Sequence, residues 1–121
     1  MASVRIKIDI DDFKKFNMLE MFINLAENLT INTNNDILIM YNSDKNLDLE
    51  LNKYSSNNIK FIHDNLFRYS KANIIIYHDE SFSGKFKFVY KKESENEFLT
   101  CLVNSIGFIK AFLNNNHLLK K

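Results

Sequence analysis

The sequence predicts one α+β domain over residues 1–121, a two-layer sandwich of three helices on a mainly antiparallel five-stranded sheet, in the order β-α-β-β-α-β-β-α. Three observations lead there. Several short runs alternate apolar and polar residues with period two. Three longer runs carry apolar residues at helical spacing. Clusters of Asn, Asp, Ser and Gly separate two pairs of strand-like runs, as in hairpins. Alternating strands imply a sheet with one face on the core and the other largely wet.

The elements follow in order. Val4, Ile6, Ile8 and Ile10 alternate with Arg5, Lys7 and Asp9, the pattern of a half-buried strand. The period then changes. Phe16, Met18, Leu19, Phe22, Ile23, Leu25, Ala26 and Leu29 fill one half of a helical wheel, with Asp11 or Asp12 as N-cap. In "DILIMYNSDKNLDLEL" an apolar strand meets a turn at 42–46. A return strand follows, in which Leu47, Leu49 and Leu51 alternate with Asp48 and Glu50. Helical spacing returns with Ile59, Ile62, Leu66 and Tyr69, capped by Ser55 or Ser56. "NIIIYHDESFSGKFKFVYKK" reads as a second hairpin, with Phe86, Phe88 and Tyr90 set against Lys85 and Lys87. If the strand of Asp48 and Glu50 adjoins that of Lys85 and Lys87, opposite charges pair across the ladder. Last, Ser94 and Glu97 have capping-box spacing ahead of Phe98, Leu102, Ile106, Ile109, Phe112 and Leu113, the apolar face of a long helix.

Composition excludes several functions. A hydrophobic content of 45% with 11 Phe is enough for one core, and no linker interrupts it. With no Pro and only Gly84 and Gly107, the chain cannot build a glycine-rich phosphate loop. Net charge is +1 and the charges are interspersed, which disfavours a nucleic-acid reader. The aromatics among Lys85, Lys87, Lys91 and Lys92 do not restore that reading, because alternation sends Phe86, Phe88 and Tyr90 to the opposite face from Lys85 and Lys87. One cysteine, Cys101, cannot form an internal disulfide, and the chain opens without an apolar targeting segment or a run long enough to span a bilayer. A cytoplasmic location is expected.

Reactive side chains crowd together in "YHDESFSGK". His78 could act as a general base beside Lys85, as in a small metal-independent RNase, and His63 is the other candidate base. Turn chemistry accounts better for Asp79 to Gly84, and no second histidine stands at a diagnostic spacing. Asp9, Asp11 and Asp12 could hold a divalent cation, but a helix N-terminus attracts carboxylates for its dipole alone. His63 borders an apolar stripe and Cys101 falls within one, as structural residues do. One Cys and three scattered His give no zinc ligand pair. We therefore assign no catalytic residue, no metal and no cofactor.

What remains is an apolar surplus. "ILIMY" and "NIIIY" are apolar on both faces, which leaves Leu38, Met40, Ile75 and Tyr77 on the wet side of the sheet, and Phe61 and Phe67 fall off their helix's apolar stripe. Clustered exposed apolar residues mark binding surfaces. These six residues are the expected interface of a non-catalytic protein-binding domain. Its partner would be another protein, such as a toxin domain, or a second copy of the chain, and no membrane is involved. An inhibitor fits best, by class-level analogy an immunity protein neutralising a bacterial toxin, or a phage or viral antagonist of a host protein. The alternative is the RNase-like enzyme using His78 or His63.

Overall fold

A computed structural model describes residues 2–31, 33, 35–43, 45–56, 58–64, 70–79, 81 and 84–114. Five strands, β1 (Ala2–Asp9), β2 (Asn35–Asn42), β3 (Ile59–His63), β4 (Ile74–Tyr77) and β5 (Phe86–Val89), form one sheet in the order β3-β2-β1-β4-β5. The helices are α1 (Ile10–Lys15), α2 (Leu19–Thr30), α3 (Asp48–Leu51) and α4 (Glu95–Asn114). A 3-10 turn at Asn52–Tyr54 extends α3. No helix among the described residues is long and apolar enough to cross a membrane.

The mixed α and β content and the five strands match the expectation, but the direction of the sheet does not. Every strand pair is parallel, so the expected antiparallel sheet and both hairpins are corrected. The reason lies in the strands that are apolar on both faces. Ile74–Tyr77 is buried at all four positions, and a strand covered on both sides is characteristic of parallel sheets. Asp79 to Gly84, read as a hairpin turn, stand instead between two parallel strands, and β5 starts beside β4. There Lys85 N–H donates to the Ala72 carbonyl and Phe86 N–H to that of Asn73.

Two further elements differ from expectation. Asp48–Leu51 is a helix, because the Tyr41 hydroxyl accepts Leu47 N–H (2.7 Å) and Asn46 Oδ1 accepts Asp48 N–H (2.8 Å), which folds the segment back on itself. No ladder between Asp48, Glu50 and the lysines of β5 exists, and Glu50 pairs with Lys14 at 3.0 Å. Ile59–His63 is a strand with Ile59 and Phe61 turned to the core, while Leu66 and Tyr69 of the expected helix lie outside the described residues.

One face of the sheet, carrying Val4, Ile6 and Ile8 of β1, Ile37, Ile39 and Tyr41 of β2 and Ile74 and Ile76 of β4, packs on Phe13, Phe22, Ile23, Ala26, Phe98, Leu102, Ile109 and Phe112 of the helices. The opposite face, expected wet, holds Lys7, Met40, Ile75 and Tyr77, all buried. Lys7 Nζ donates to the Ser70 carbonyl, and the Ser70 hydroxyl in turn donates to Asp64. Burial pushes the Lys7 ammonium pKa down against the opposing pull of Asp64. Gly84, in the connection from β4 to β5, lies directly over Ile75.

Candidate metal centre

The topology selects one place on the sheet. From β1 the chain steps outward through β2 and β3, then β4 starts on the other side of β1. The strand order therefore reverses between β1 and β4, and parallel sheets bind ligands in the crevice outside the carboxyl ends at such a point. Asp9 is the last residue of β1, and His78 follows the last residue of β4.

Asp9 is also the N-cap of α1, correcting the expectation of Asp11 or Asp12. Its extended backbone (φ −91°, ψ 102°) leads straight from strand into helix, and its Oδ1 accepts the N–H groups of Asp11 (3.0 Å) and Asp12 (3.3 Å). The tight entry brings the Asp12 carboxylate back over the strand end. Asp9 Oδ2 lies 2.8 Å from His78 Nε2, and Asp12 Oδ2 lies 3.9 Å from the same nitrogen. The buried Tyr90, immediately after β5, donates its hydroxyl to Asp12 Oδ2 at 2.6 Å. The His78 ring stacks on Tyr77 (4.3 Å between centroids, 25°), and Tyr90 meets Phe98 edge-on at 5.0 Å. Burial and the Asp12 carboxylate push the Tyr90 phenol far above its usual range, and burial raises Tyr77 as well.

Both carboxylates have partners in the site, Asp9 in two backbone N–H groups and His78, and Asp12 in the Tyr90 hydroxyl. Asp9 and Asp12 are 7% and 3% exposed, and carboxylates so withdrawn from water cost several kcal/mol unless compensated. Among the described residues, His78 is the potentially cationic side chain in contact with both. Asp9, Asp12 and His78 each offer one ligand atom, and the three atoms lie within 4.8 Å of one another. An ion about 2.1 Å from its ligands holds them about 3.0–4.2 Å apart in octahedral geometry, so the trio is near the size of one coordination sphere, and an ion would replace the 2.8 Å hydrogen bond between His78 and Asp9. Imidazole with carboxylate suits Mn²⁺, Fe²⁺ or Zn²⁺. Three protein ligands leave coordination positions open, as catalytic metal sites do and closed structural ones do not.

The other expected residues fall elsewhere. Asp11 is exposed, and its N–H belongs to the α1 cap. Lys85 sits at the amino end of β5, with Nζ over the Phe86 ring at 5.6 Å, so no His78–Lys85 pair forms. His63 Nε2 is 3.0 Å from the Ser43 carbonyl, and its ring stacks on Tyr41. The Tyr41 phenol, buried and hydrogen-bonded to Asp48, is pushed up to about 12. Cys101 is half-buried against the Val89 carbonyl, and burial raises its thiol pKa. Of the six interface residues, Met40, Ile75 and Tyr77 are buried and Leu38 is half-buried. Phe61 packs against the core, and Phe67 lies outside the described residues. Sequence reasoning missed Tyr90 as a partner of Asp12, 78 residues away, and the meeting of Asp9 with His78 across 69 residues.

The chain matches no protein-family model, no curated protein and no solved structure.

Proposed function

We propose that the protein is a metal-dependent hydrolase, in which Asp9, Asp12 and His78 hold one divalent transition ion. The observation that carries this reading is the convergence of three ligand atoms within 4.8 Å at the carboxyl ends of β1 and β4, where the strand order reverses. A divalent ion with open positions polarises a carbonyl or phosphoryl oxygen and lowers the pKa of bound water, so the reaction class is hydrolysis of an ester or phosphoester. Asp9 and Asp12 neutralise the ion, and His78, partly open to solvent, supplies the nitrogen ligand. This departs from the expectation of a non-catalytic domain.

Calorimetry and Mn²⁺ electron paramagnetic resonance test the reading. Wild type takes up one ion per chain, Asp9→Asn and His78→Ala lose it, and the loaded protein hydrolyses a member of an ester and phosphoester panel. A wild-type protein that binds neither Mn²⁺ nor Zn²⁺ overturns it.

A second reading keeps the non-catalytic inhibitor of a partner such as a toxin domain. It draws on Leu49, 95% exposed, and on Met21 and Leu25, one turn apart and exposed on α2. In that case Asp9→Asn leaves partner binding intact, while Met21→Asp abolishes it. Both readings suit a cytoplasmic location, where Cys101 stays reduced.

A further inference from the structure

We propose that Tyr90 is a positioning residue of this metal centre, holding the Asp12 carboxylate in the orientation that turns Oδ2 to the ion. The inference rests on the metal-binding reading above and goes beyond it, because it adds a residue that acts on the ion only through one of its ligands.

The three ligands are not held alike. Asp9 is locked by the cap of α1, through two backbone N–H groups on Oδ1. The His78 ring is held by its stack on Tyr77. Asp12 has its backbone in the first turn of α1, but a carboxylate turns readily about its last side-chain bond. Among the described residues, the Tyr90 hydroxyl is the donor within hydrogen-bond distance of that carboxylate, 2.6 Å from Oδ2. The same Oδ2 lies 3.9 Å from His78 Nε2, on the side where the ligand atoms converge. A carboxylate oxygen has two lone pairs, so Oδ2 can accept the hydroxyl with one and bind an ion with the other. Hydrogen-bond partners of metal ligands orient them in this way.

Tyr90 suits the task because it is fixed. Its ring is buried and meets Phe98 edge-on at 5.0 Å. Its backbone N–H donates to the Tyr77 carbonyl at 3.2 Å, and the next N–H, that of Lys91, donates to Glu97 Oε1 at 3.0 Å. Burial and the Asp12 carboxylate push its phenol pKa far above the usual range, so the hydroxyl remains a donor at neutral pH.

Tyr90→Phe removes the hydroxyl and keeps the ring. Mn²⁺ binding, followed by the resonance of the free ion, should weaken by about ten- to hundredfold, the scale on which ligand-orienting partners act. The nitrogen modulation from His78 in the spin echo of bound Mn²⁺ should persist, because only the carboxylate is released. Tyr41→Phe is the matched control. It deletes another buried tyrosine hydroxyl that donates to an aspartate, Asp48 at 2.7 Å, away from the site, and should leave Mn²⁺ affinity unchanged.

An unchanged or tighter Mn²⁺ dissociation constant in Tyr90→Phe overturns the inference while the metal-binding reading stands. Equal weakening in Tyr41→Phe also overturns it, because any lost core hydroxyl would then loosen the site. Loss of the nitrogen signal does the same, because the whole site would then have collapsed. A wild type that takes up no Mn²⁺ ends both readings. Fluorotyrosine at position 90 supplies a check in a protein that keeps the hydroxyl. One Zn²⁺ per chain should shift its fluorine resonance and leave that of fluorotyrosine at position 41 in place, and an unmoved resonance at position 90 refutes the proposal.

Discussion

Replacing Gly84 by alanine would drive a methyl group into Ile75. A Cβ built on Gly84 lies 3.0 Å from Ile75 Cγ2 and 3.2 Å from Ile75 Cβ, both closer than ordinary van der Waals contact. Ile75 cannot move aside. It is 1% exposed and sits in β4 with Lys7 on one side and Lys87 on the other in register, and its Cβ is fixed by the strand backbone. The connection must therefore lift off the sheet or the strand must shift, and overpacking of this kind costs about 1–3 kcal/mol. Gly107 is the matched control. It stands in the interior of α4 with nothing within 4 Å of its added Cβ, so Gly107→Ala should stabilise by about 0.5–1 kcal/mol. Urea denaturation of the two variants side by side measures both signs. A Gly84→Ala midpoint equal to wild type, or a fall in the Gly107→Ala midpoint, refutes the packing described for the second face or for α4.

Asp9 combines two roles that substitutions separate. Asn keeps an oxygen for the α1 cap, so Asp9→Asn should lose the ion at little cost in helix stability, whereas Asp9→Ala should lose the ion and a further ~1 kcal/mol. Equal denaturation midpoints for the two variants would show that the cap contributes nothing. Ser94 Oγ accepts Glu97 N–H at 3.3 Å, while Glu97 Oε1 accepts Lys91 N–H at 3.0 Å, so Ser94→Ala should cost ~1 kcal/mol at the start of α4. The Tyr41 phenol titrates at about 12 in the folded protein and near 10 when unfolded, so between these values the folded state holds more protons. The stability of the wild type relative to Tyr41→Phe is then full below pH 10 and shrinks as pH rises towards 12. A constant difference in denaturation free energy across that window would contradict the buried hydrogen bond to Asp48.

Local rules read the sequence well where a single element decides the pattern. Val4, Ile6 and Ile8 of β1 are buried as their spacing requires, although Lys7 and Asp9 on the face expected wet are buried too. Helices α2 and α4 bury most of their apolar arcs with Leu25 left exposed, and Ser94 marks the start of α4. They failed where distant residues decided. Leu47, Leu49 and Leu51 alternate like a strand, yet Leu51 is buried and Leu49 almost fully exposed, because hydrogen bonds from Tyr41 and Asn46 curl the segment into α3. Ile59 and Ile62 fit a helix while Ile59 and Phe61 fit a strand over the same five residues, and β2 decided between them by offering a ladder.

The direction of the strands and the missed site are one error. "ILIMY" and "NIIIY" carry apolar residues on both faces, the mark of strands buried on both sides in a parallel sheet. Taken instead as members of hairpins, they left Met40, Ile75 and Tyr77 facing water and suggested an interface. The same assumption hid the cluster. If β4 ran antiparallel to β1, His78 would emerge at the amino end of β1, the far end of an eight-residue strand from Asp9. Only the parallel pairing of Ile6, Lys7 and Ile8 with Ile74, Ile75 and Ile76 brings His78 to the edge where Asp9 caps α1. Parallel addition of β5 then delivers Tyr90 to that edge, within 2.6 Å of Asp12. No local motif encodes this convergence, because each of the four side chains has an ordinary local role, as cap, first-turn acid, post-strand histidine or core aromatic. The cluster of Asp9, Asp12, His78 and Tyr90 forms when the sheet direction makes the carboxyl ends of β1, β4 and β5 coincide.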